Sequence, residues 1–271
     1  MKEIIKNLSN KEYHQRDGLS KSKMDLLEIS PAHYKASLEQ PTKQTEALIF
    51  GSLFHTLVLE PERLEIEFAI EPKINKRTNE GKALYEQFLD INKDKTIITE
   101  EMLDKAKIMK ESLLKNKIAK KLINAKGDVE ISLFWTDKET KTLLKARPDK
   151  IVDNIIIDLK TALTANPNNF YKKAYDLGYH RQAYHFLTGY EECYGKKADG
   201  FIFIVIEKEP PYAVCCYKAT DELLKIAKIE VRNDIELFAN CEKTNTWNGY
   251  PEVLHDLDAP IWIGNKYLED I

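Results

Sequence analysis

ARPDKIVDNIIIDLKT, residues 146–161, is the stretch that decides the predicted fold, because it holds two apolar runs separated by a polar pair. That pair, Asp153 and Asn154, consists of residue types that tolerate the positive φ of a tight hairpin turn. A turn at these two residues places Asp149 directly opposite Asp158, with Cβ atoms about 5 Å apart on one face of the sheet. The sequence therefore predicts a β-hairpin that carries two facing carboxylates.

A lysine completes this predicted group. Lys160 follows Asp158 by two residues and so lies on the same face, and the backbone carbonyl of Leu159 lies near the same edge. Two carboxylates at this separation repel each other unless a cation lies between them. Hard oxygen ligands select Mg²⁺, with Mn²⁺ as the alternative, and such an ion activates water for attack on a phosphodiester. The hairpin thus predicts metal-dependent phosphodiester hydrolysis.

An ordinary surface role for these residues is the competing interpretation. Asp149 and Asp158 would then pair with the neighbouring lysines, Lys150 and Lys160. The three isoleucines before Asp158 weigh against it, because they are typical of an interior strand, where an acid without a partner is costly.

The rest of the chain alternates between helical and extended periodicity. Helices are predicted to begin at Ser20 and at Ser30–Pro31, and to cover residues 46–59, 100–126, 168–194 and 219–240. Strands are predicted at 129–135, 142–150, 151–160, 200–207 and 212–217. This order is typical of an α/β fold with a mixed central sheet flanked by helices. We expect one domain over residues 1–271, with a mainly helical N-terminal part (1–126), a sheet core (127–217) and a C-terminal helix and tail (218–271).

Composition narrows the class of protein. The 271 residues are 43% hydrophobic and 31% charged, which excludes disordered and collagen-like chains. The four cysteines, Cys193, Cys215, Cys216 and Cys241, fit neither a disulfide framework nor a CxxC metal site. The sequence has neither a signal-peptide pattern nor an apolar run of about 18 residues. We therefore expect a cytoplasmic protein that does not contact membranes.

Charge is distributed unevenly along the chain. The formal net charge of −3 argues against DNA held on a uniformly basic surface. Residues 105–126, however, carry eight lysines and one acid on the predicted 100–126 helix. The apolar stripe of that helix is predicted to be Met102, Ala106, Met109, Leu113, Leu114, Ile118 and Leu122. The lysine face is either solvated or lines a DNA channel, with the acid-rich segment 252–271 on an outer rim.

Several motifs occur in an order that resembles a known nuclease group. Pro148–Asp149 followed by Asp158-Leu159-Lys160 resembles the PD-(D/E)xK signature, and Gly51 with His55 resembles the G-x-x-x-H helix of the RecB-like superfamily. Tyr179-His180-Arg181-Gln182 is similar to a "YHxQ" helix, and the segments around Tyr13–His14 and Ser30–Tyr34 are similar to the N-terminal region of the same group. Together these motifs resemble the RecE-like (exodeoxyribonuclease VIII-type) phage and prophage exonucleases.

This resemblance implies a restriction-endonuclease-like core and a set of site residues. The implied metal ligands are His55, Asp149, Asp158 and the Leu159 carbonyl. The implied catalytic residues are Glu130, Asp149, Asp158, Lys160 and Gln182. The implied cofactor is Mg²⁺, or Mn²⁺. Taken by itself, each residue also has a structural reading: a histidine on an apolar helix is most often a core residue, and Glu130 and Gln182 fit solvated positions.

The sequence departs from the group at one position, and its cysteines do not follow the pattern that an iron–sulfur cluster needs. The tyrosine of the usual Q-x-x-x-Y helix is replaced by Phe186, so the tyrosine role stays unassigned. Relatives that hold an iron–sulfur cluster need one cysteine upstream and three downstream, whereas all four cysteines here follow residue 190. We expect no iron–sulfur cluster.

The resemblance also implies a substrate and partners. It implies 5′→3′ digestion of linear double-stranded DNA to give 3′ overhangs, a ring-like trimer or tetramer, and a RecT-like single-strand annealing protein as partner. Predicted DNA contacts are Ser20, Ser22, Lys23, Arg147 and His180. The aromatic residues Trp247, Tyr250 and Trp262 pack either between subunits or in the protein's own core.

Two other functions stay open at this stage. One is a RecB-like endonuclease or single-strand nuclease with the same fold. The other is a catalytically inactive module that binds DNA or recruits another protein, although the intact Asp-x-Lys motif and His55 argue against it.

Overall fold

The computed structural model describes residues 1–39 and 44–258. The helices in these ranges are α1 (Asn10–Gln15), α2 (Lys21–Ile29), α3 (Pro31–Glu39), α4 (Glu46–Leu59), α5 (Leu64–Glu67), α6 (Asn79–Ile91), α7 (Glu100–Lys115), α8 (Lys117–Asn124), α9 (Pro167–Asp176), α10 (Tyr179–Tyr194) and α11 (Asp221–Thr244). The strands are β1 (Lys2–Ile5), β2 (Phe68–Ile70), β3 (Thr96–Ile98), β4 (Asp128–Val129), β5 (Ser132–Thr136), β6 (Leu143–Ala146), β7 (Lys150–Val152), β8 (Ile155–Ala162), β9 (Gly200–Glu207) and β10 (Val214–Lys218).

The central sheet has five strands in the order β10-β9-β8-β7-β4. Strands β8 and β9 run parallel, and the other neighbouring pairs are antiparallel. The parallel pair needs a crossover connection, which α9 and α10 supply between the two strands. The predicted α/β fold with a mixed central sheet flanked by helices is confirmed.

Strand β8 divides the core into two layers because its side chains alternate between the faces of the sheet. Ile156 belongs to one apolar cluster with residues of α2, α10 and α11. Ile157 and Leu159 belong to the other cluster, with residues of α4, α7 and α8. The strand is thus buried on both faces, so any polar side chain it carries needs a partner inside the protein.

Helix α4 has the bounds that the sequence predicts. Thr45 accepts the N–H of Leu48 at 3.3 Å as the N-cap, and the helix ends at Leu59, before Glu60 and Pro61. The helix therefore delivers His55 from a rigid, buried element.

A second sheet joins the N-terminus to the core. It has the order β1-β5-β6, and Leu19 forms an isolated bridge to Leu144 beside it. The mainly helical N-terminal part thus begins with a strand that the periodicity did not indicate, since β1 has only four residues.

The predicted single helix over residues 100–126 is wrong, because Asn116 breaks it into α7 and α8. The Asn116 side chain accepts the N–H groups of Ile118 and Ala119, both at 3.0 Å, and so caps α8. The break changes the helical phase, so Ala119 is buried and Ile118 is 60% exposed. Of the predicted stripe, Ala106, Met109 and Leu113 are buried, and Met102, Leu114 and Leu122 are partly buried against the same cluster. Only Ile118 departs from the predicted stripe.

Three more predicted elements are interrupted. The 129–135 strand breaks at Glu130, which has φ of 50°, so that β4 and β5 lie in different sheets. The 142–150 strand ends at Ala146, and the 168–194 helix breaks at Gly178, where φ is 63°. Each break lies beside a predicted site residue.

In the part of the chain that the structure describes, no helix combines the length and apolarity needed to cross a membrane.

Candidate active site

The β7–β8 hairpin has the predicted register. Asp153 and Asn154 both have positive φ, 46° and 67°, as a two-residue turn of this type requires. Lys150 pairs with Ile157, and Val152 pairs with Ile155. Asp149 precedes β7, and its carboxylate accepts the N–H of Leu159 at 2.6 Å. The hairpin therefore brings Asp149 against β8, beside Asp158, as predicted.

Three potential ligands converge at this point. His55 on α4, Glu130 between β4 and β5, and Asp149 each offer one ligand atom, and these atoms lie within 4.8 Å of one another. His55 Nδ1 is 3.5 Å from Asp149 Oδ2. The two carboxylates suit Mg²⁺ or Mn²⁺, and with the imidazole they form a set that could hold a divalent cation. The residues present thus fit the cation that the sequence predicts.

Glu130 reaches this group through an unusual backbone conformation. A positive φ in a residue that is neither glycine nor asparagine costs about 1 kcal/mol or more. The N–H of Glu130 donates to the carbonyl of Asp149 at 3.0 Å and holds the conformation. The turn directs the Glu130 side chain into the site. In a continuous strand, Glu130 would instead be one of the paired residues of the sheet.

Asp158 belongs to a second group beside the first. Its side chain is almost fully buried, at 1% exposure. Lys160 Nζ lies 2.8 Å from Asp158 Oδ2, and Gln182 on α10 donates to Asp158 Oδ1 at 2.5 Å. Gln182 thus contacts the aspartate of this pair. Oδ1 of Asp158 thus accepts a hydrogen bond, whereas Oδ2 has the lysine ammonium 2.8 Å away but accepts no hydrogen bond from the described residues.

The two groups differ in electrostatics. Burial raises the pKa of Asp149 to about 6, repulsion from Asp158 adds to it, and His55, Lys160 and the Leu159 N–H oppose it. Burial also raises the pKa of Glu130 well above its usual value, repulsion from Asp149 adds to it, and Arg147 opposes it. Neither protein charge nor solvent compensates these acids fully, so a bound cation would relieve the cost.

Lys160 responds in the opposite direction. Burial acts to lower its pKa, but the carboxylates of Asp158 and Asp149 raise it above the usual value. The lysine is therefore held in its charged form at the edge of the site.

A cavity of about 380 Å³ lies next to both groups, although Asp149 and Asp158 are not among the described residues that line it. His55, Glu130, Arg147 and Lys160 line it, together with the N-terminal half of α4. The cavity is large enough for a phosphodiester and parts of its neighbouring nucleotides, which are then within reach of the cation ligands and the lysine.

Comparison with known proteins identifies the family of this site. Residues 20–256 match the family described as PDDEXK-like domain of unknown function (DUF3799). The chain belongs to this PDDEXK-like family. The matched range includes the hairpin with Pro148–Asp149, Asp158 and Lys160, from which the fold was predicted. A search of curated proteins finds no match.

Two solved structures were aligned with this chain. A crystal structure from Eubacterium rectale, provisionally described as an exonuclease, aligns with a TM-score of 0.64 at 13% identity, over 96% of this chain and 98% of that one. This likeness shows a shared fold over nearly the full length. A phage-related exonuclease from Haemophilus somnus aligns with a TM-score of only 0.32 at 13% identity, over 65% of this chain and 91% of that one.

The predicted DNA contacts lie at different distances from the PDDEXK-like site. Arg147 lines the cavity, where its guanidinium donates to Ser132 Oγ at 3.0 Å and to the Leu8 carbonyl. Ser20, Ser22 and Lys23 lie at the start of α2 and are not among the described residues that line the cavity. The hydroxyls of Ser20 and Ser22 are 3.1 Å apart, and Ser20 does not cap the helix by its side chain.

The prediction that His180 contacts DNA is corrected. The side chain is 3% exposed, its Nε2 lies 2.5 Å from the Glu230 carboxylate, and its ring stacks on Tyr175 with centroids 4.3 Å apart. His180 therefore joins α10 to α11 and cannot reach a ligand in the cavity. The next residue, Arg181, pairs with Asp25 of α2 and Asp234 of α11.

Tyr179, the first residue of the segment that is similar to a "YHxQ" helix, also lies beside Lys160, although the sequence predicts no role for it. Lys160 Nζ lies 5.0 Å from the centre of its ring, and the ring stacks on Phe203, the strand partner of Asp158. Tyr179 is one helical turn before Gln182, so both face the Asp158–Lys160 pair. Phe186, at the usual tyrosine position, packs near Phe201 in the core. In the sequence, the spacing of three residues between Tyr179 and Gln182 already indicates that both lie on the same face of a helix.

The lysine face of α7 is partly engaged within the protein. Lys105 pairs with Glu209 at 2.8 Å, Lys107 lies 3.4 Å from Asp104, and Lys110 donates to the Leu57 carbonyl. All three partners lie outside residues 105–126, so the charge of this segment alone overstates the positive charge of the lysine face.

The C-terminal aromatic residues divide between core and surface. Trp247 stacks on Tyr34 with centroids 5.2 Å apart and packs against the core. Tyr250 is 68% exposed. Trp262 and the end of the acidic tail lie outside the described residues.

Proposed function

We propose that the protein is a metal-dependent deoxyribonuclease that degrades linear double-stranded DNA 5′→3′ and leaves 3′ single-stranded overhangs. The observation that carries this proposal is the convergence of ligand atoms of His55, Glu130 and Asp149 within 4.8 Å, next to a cavity that His55, Glu130 and Lys160 line. A nuclease that hydrolyses phosphodiesters needs such a cation site and a nearby positive charge. The membership in a PDDEXK-like family supports it.

The residues divide the work in this mechanism. His55, Glu130 and Asp149 would hold Mg²⁺, or Mn²⁺. When bound there, such an ion supplies Lewis-acid stabilisation of the phosphate and lowers the pKa of a coordinated water. Lys160 neutralises negative charge that develops on the phosphate or orients the attacking water. Asp158, fixed by Gln182, holds the lysine in place. Asp158 and the Leu159 carbonyl are proposed as further ligands. For Asp158 to bind the ion, it must release Lys160 or Gln182, its present partners.

The finer parts of the proposal concern the substrate and assembly. The 5′→3′ direction, a ring-like homo-oligomer around the duplex and a RecT-like annealing partner derive from the resemblance to RecE-like exonucleases. A phage or prophage role in recombination by single-strand annealing follows from the same source.

Digestion of end-labelled linear duplex DNA tests the proposal. We expect loss of 5′-terminal nucleotides in Mg²⁺ or Mn²⁺, none in EDTA, and a large loss of rate in His55→Ala. His255→Ala, an exposed histidine outside the cavity, is the matched control and should cleave at the wild-type rate. Closed circular DNA should resist.

The other outcomes select the alternatives. Nicking of closed circles indicates the endonuclease, preference for single strands indicates the single-strand nuclease, and DNA binding without cleavage in any metal indicates the inactive module.

A further inference from the structure

The middle of α4 contains a glycine that the packing of the protein does not require. Gly51 has no positive φ, and a Cβ added to it would meet no atom within 4 Å apart from its chain neighbours and the backbone of its own helix. Glycine is the least favourable residue in a helix interior apart from proline. Neither backbone conformation nor neighbouring side chains explain its presence.

Two other helical glycines show the contrast. A Cβ on Gly189 of α10 would lie 2.6 Å from the Trp135 ring. A Cβ on Gly81 of α6 would lie 2.0 Å from the carbonyl oxygen of Asn75. At those positions a close neighbour within the chain excludes any side chain, whereas the space beside Gly51 is open.

That open space belongs to the active-site cavity. Gly51 lines the cavity together with Leu48 and Ser52 of the same helix. It precedes His55 by four residues, which places it on the same helical face and about 6 Å along the helix axis. The gap therefore lies next to the proposed cation ligands, at about the distance of one nucleotide.

We propose that Gly51 positions the substrate by leaving room for the sugar–phosphate backbone of the nucleotide next to the scissile phosphate, which lies against the main chain of α4. This inference rests on the proposed nuclease function and deepens it. It makes the site selective for a polynucleotide strand, because a small phosphodiester reaches the cation ligands without passing over Gly51. A side chain at position 51 would then lift the strand away from the cation and the lysine.

Two substitutions at this position separate substrate contact from folding. Gly51→Ala should raise the Tm by about 2 °C, because alanine favours the helix and meets no neighbour. It should lower kcat/KM on duplex DNA roughly tenfold, and Gly51→Leu roughly a hundredfold, since displacement by about 1 Å has effects of this size. Ala83→Leu, which places a leucine at an exposed position of α6 outside the cavity, is the matched control and should change neither DNA cleavage nor binding.

Two further measurements keep the outcomes distinct. The Tm shift induced by Mn²⁺ and the hydrolysis of bis(p-nitrophenyl) phosphate should stay at wild-type values in both Gly51 variants. Duplex affinity in Ca²⁺ should fall in Gly51→Leu, whether or not the wild-type protein cleaves. A wild-type protein without metal-dependent cleavage contradicts the proposed function. A Gly51→Leu variant with wild-type cleavage and DNA affinity overturns only this inference, and so does a Gly51→Ala variant with a lower Tm and an altered Mn²⁺ response.

Discussion

The site consists of two neighbouring groups of charged residues that the protein treats differently. In the first, His55, Glu130 and Asp149 come together with an excess of negative charge, and burial raises the pKa of both acids. In the second, Gln182 donates a hydrogen bond to the buried carboxylate of Asp158, and Lys160 forms an ion pair with it. The comparison indicates that the first group could hold a divalent cation, whereas the second already contains a cation of its own, the ammonium of Lys160.

Neutralising Asp149 should break the first group with the largest effect. Asp149→Asn can still accept the Leu159 N–H, but it should lose cation binding and reduce DNA cleavage by at least about a thousandfold. Without metal it should be more stable than the wild type near pH 8, because a charged buried carboxylate is removed. A shift of the pKa from 3.8 to about 6 corresponds to at most about 3 kcal/mol. Thermal unfolding in EDTA measures this.

The pH dependence of that difference follows from the raised pKa. The folded pKa of Asp149, about 6, exceeds its ordinary value of 3.8. Its contribution to stability is thus complete below about pH 4 and is lost as the pH rises through about 6. The Tm gap between Asp149→Asn and the wild type should open between those values, and a gap that is constant with pH would contradict the assignment. Asp153→Asn, at the exposed turn of the same hairpin, should show no gap.

Removing Lys160 should have the opposite effect on stability. Lys160→Met leaves Asp158 buried without its cation, which costs about 3–5 kcal/mol, and cleavage should fall by roughly a hundredfold to a thousandfold. Adding Asp158→Asn should restore stability but not cleavage. Lys172→Met, on the exposed face of α9, is the matched control. A double variant as unstable as Lys160→Met would show that the pair is not an isolated unit.

Gln182→Leu should weaken the second group without destroying it. Asp158 keeps Lys160 but loses the hydrogen bond from α10, so we expect roughly a tenfold lower kcat with little change in KM. Steady-state kinetics on linear duplex DNA provide the measurement. An increase in KM alone would instead place Gln182 against the substrate.

Tyr179 should give the smallest effect. Tyr179→Phe retains the ring beside the Lys160 ammonium and should cleave at nearly the wild-type rate. Tyr179→Leu loses the cation–π contact, worth about 1 kcal/mol, and should cleave roughly threefold to fivefold more slowly. Equal rates for the two variants would show that the ring has no such role.

The sequence was most informative where local rules and tertiary structure agree. Asp153 and Asn154 suit the turn that joins two apolar runs, so the register of the hairpin followed from residue types alone. Helix α4 had an N-cap at Thr45 and a stop before Pro61, and both ends were predicted correctly.

The sequence prediction failed where the conformation or contacts of a single residue depend on hydrogen bonds that the sequence pattern does not reveal. Glu130 adopts a positive φ because the Asp149 carbonyl, 19 residues later, accepts its N–H. Asn116 interrupts a pattern that is helical on both sides, because its side chain caps the next helix. A histidine such as His180 is able to contact a DNA phosphate, but the packing of α10 on α11 places its ring in a hydrogen bond with Glu230, which the sequence does not show. The residue types of the site were readable, whereas their division into two groups required the structure.

A calorimetric titration with Mn²⁺ tests the contrast between the two groups most directly. The wild type and Lys160→Met should bind Mn²⁺, and Asp149→Asn should not. Binding to Asp149→Asn with wild-type stoichiometry and affinity would contradict the assignment of His55, Glu130 and Asp149 as the cation ligands.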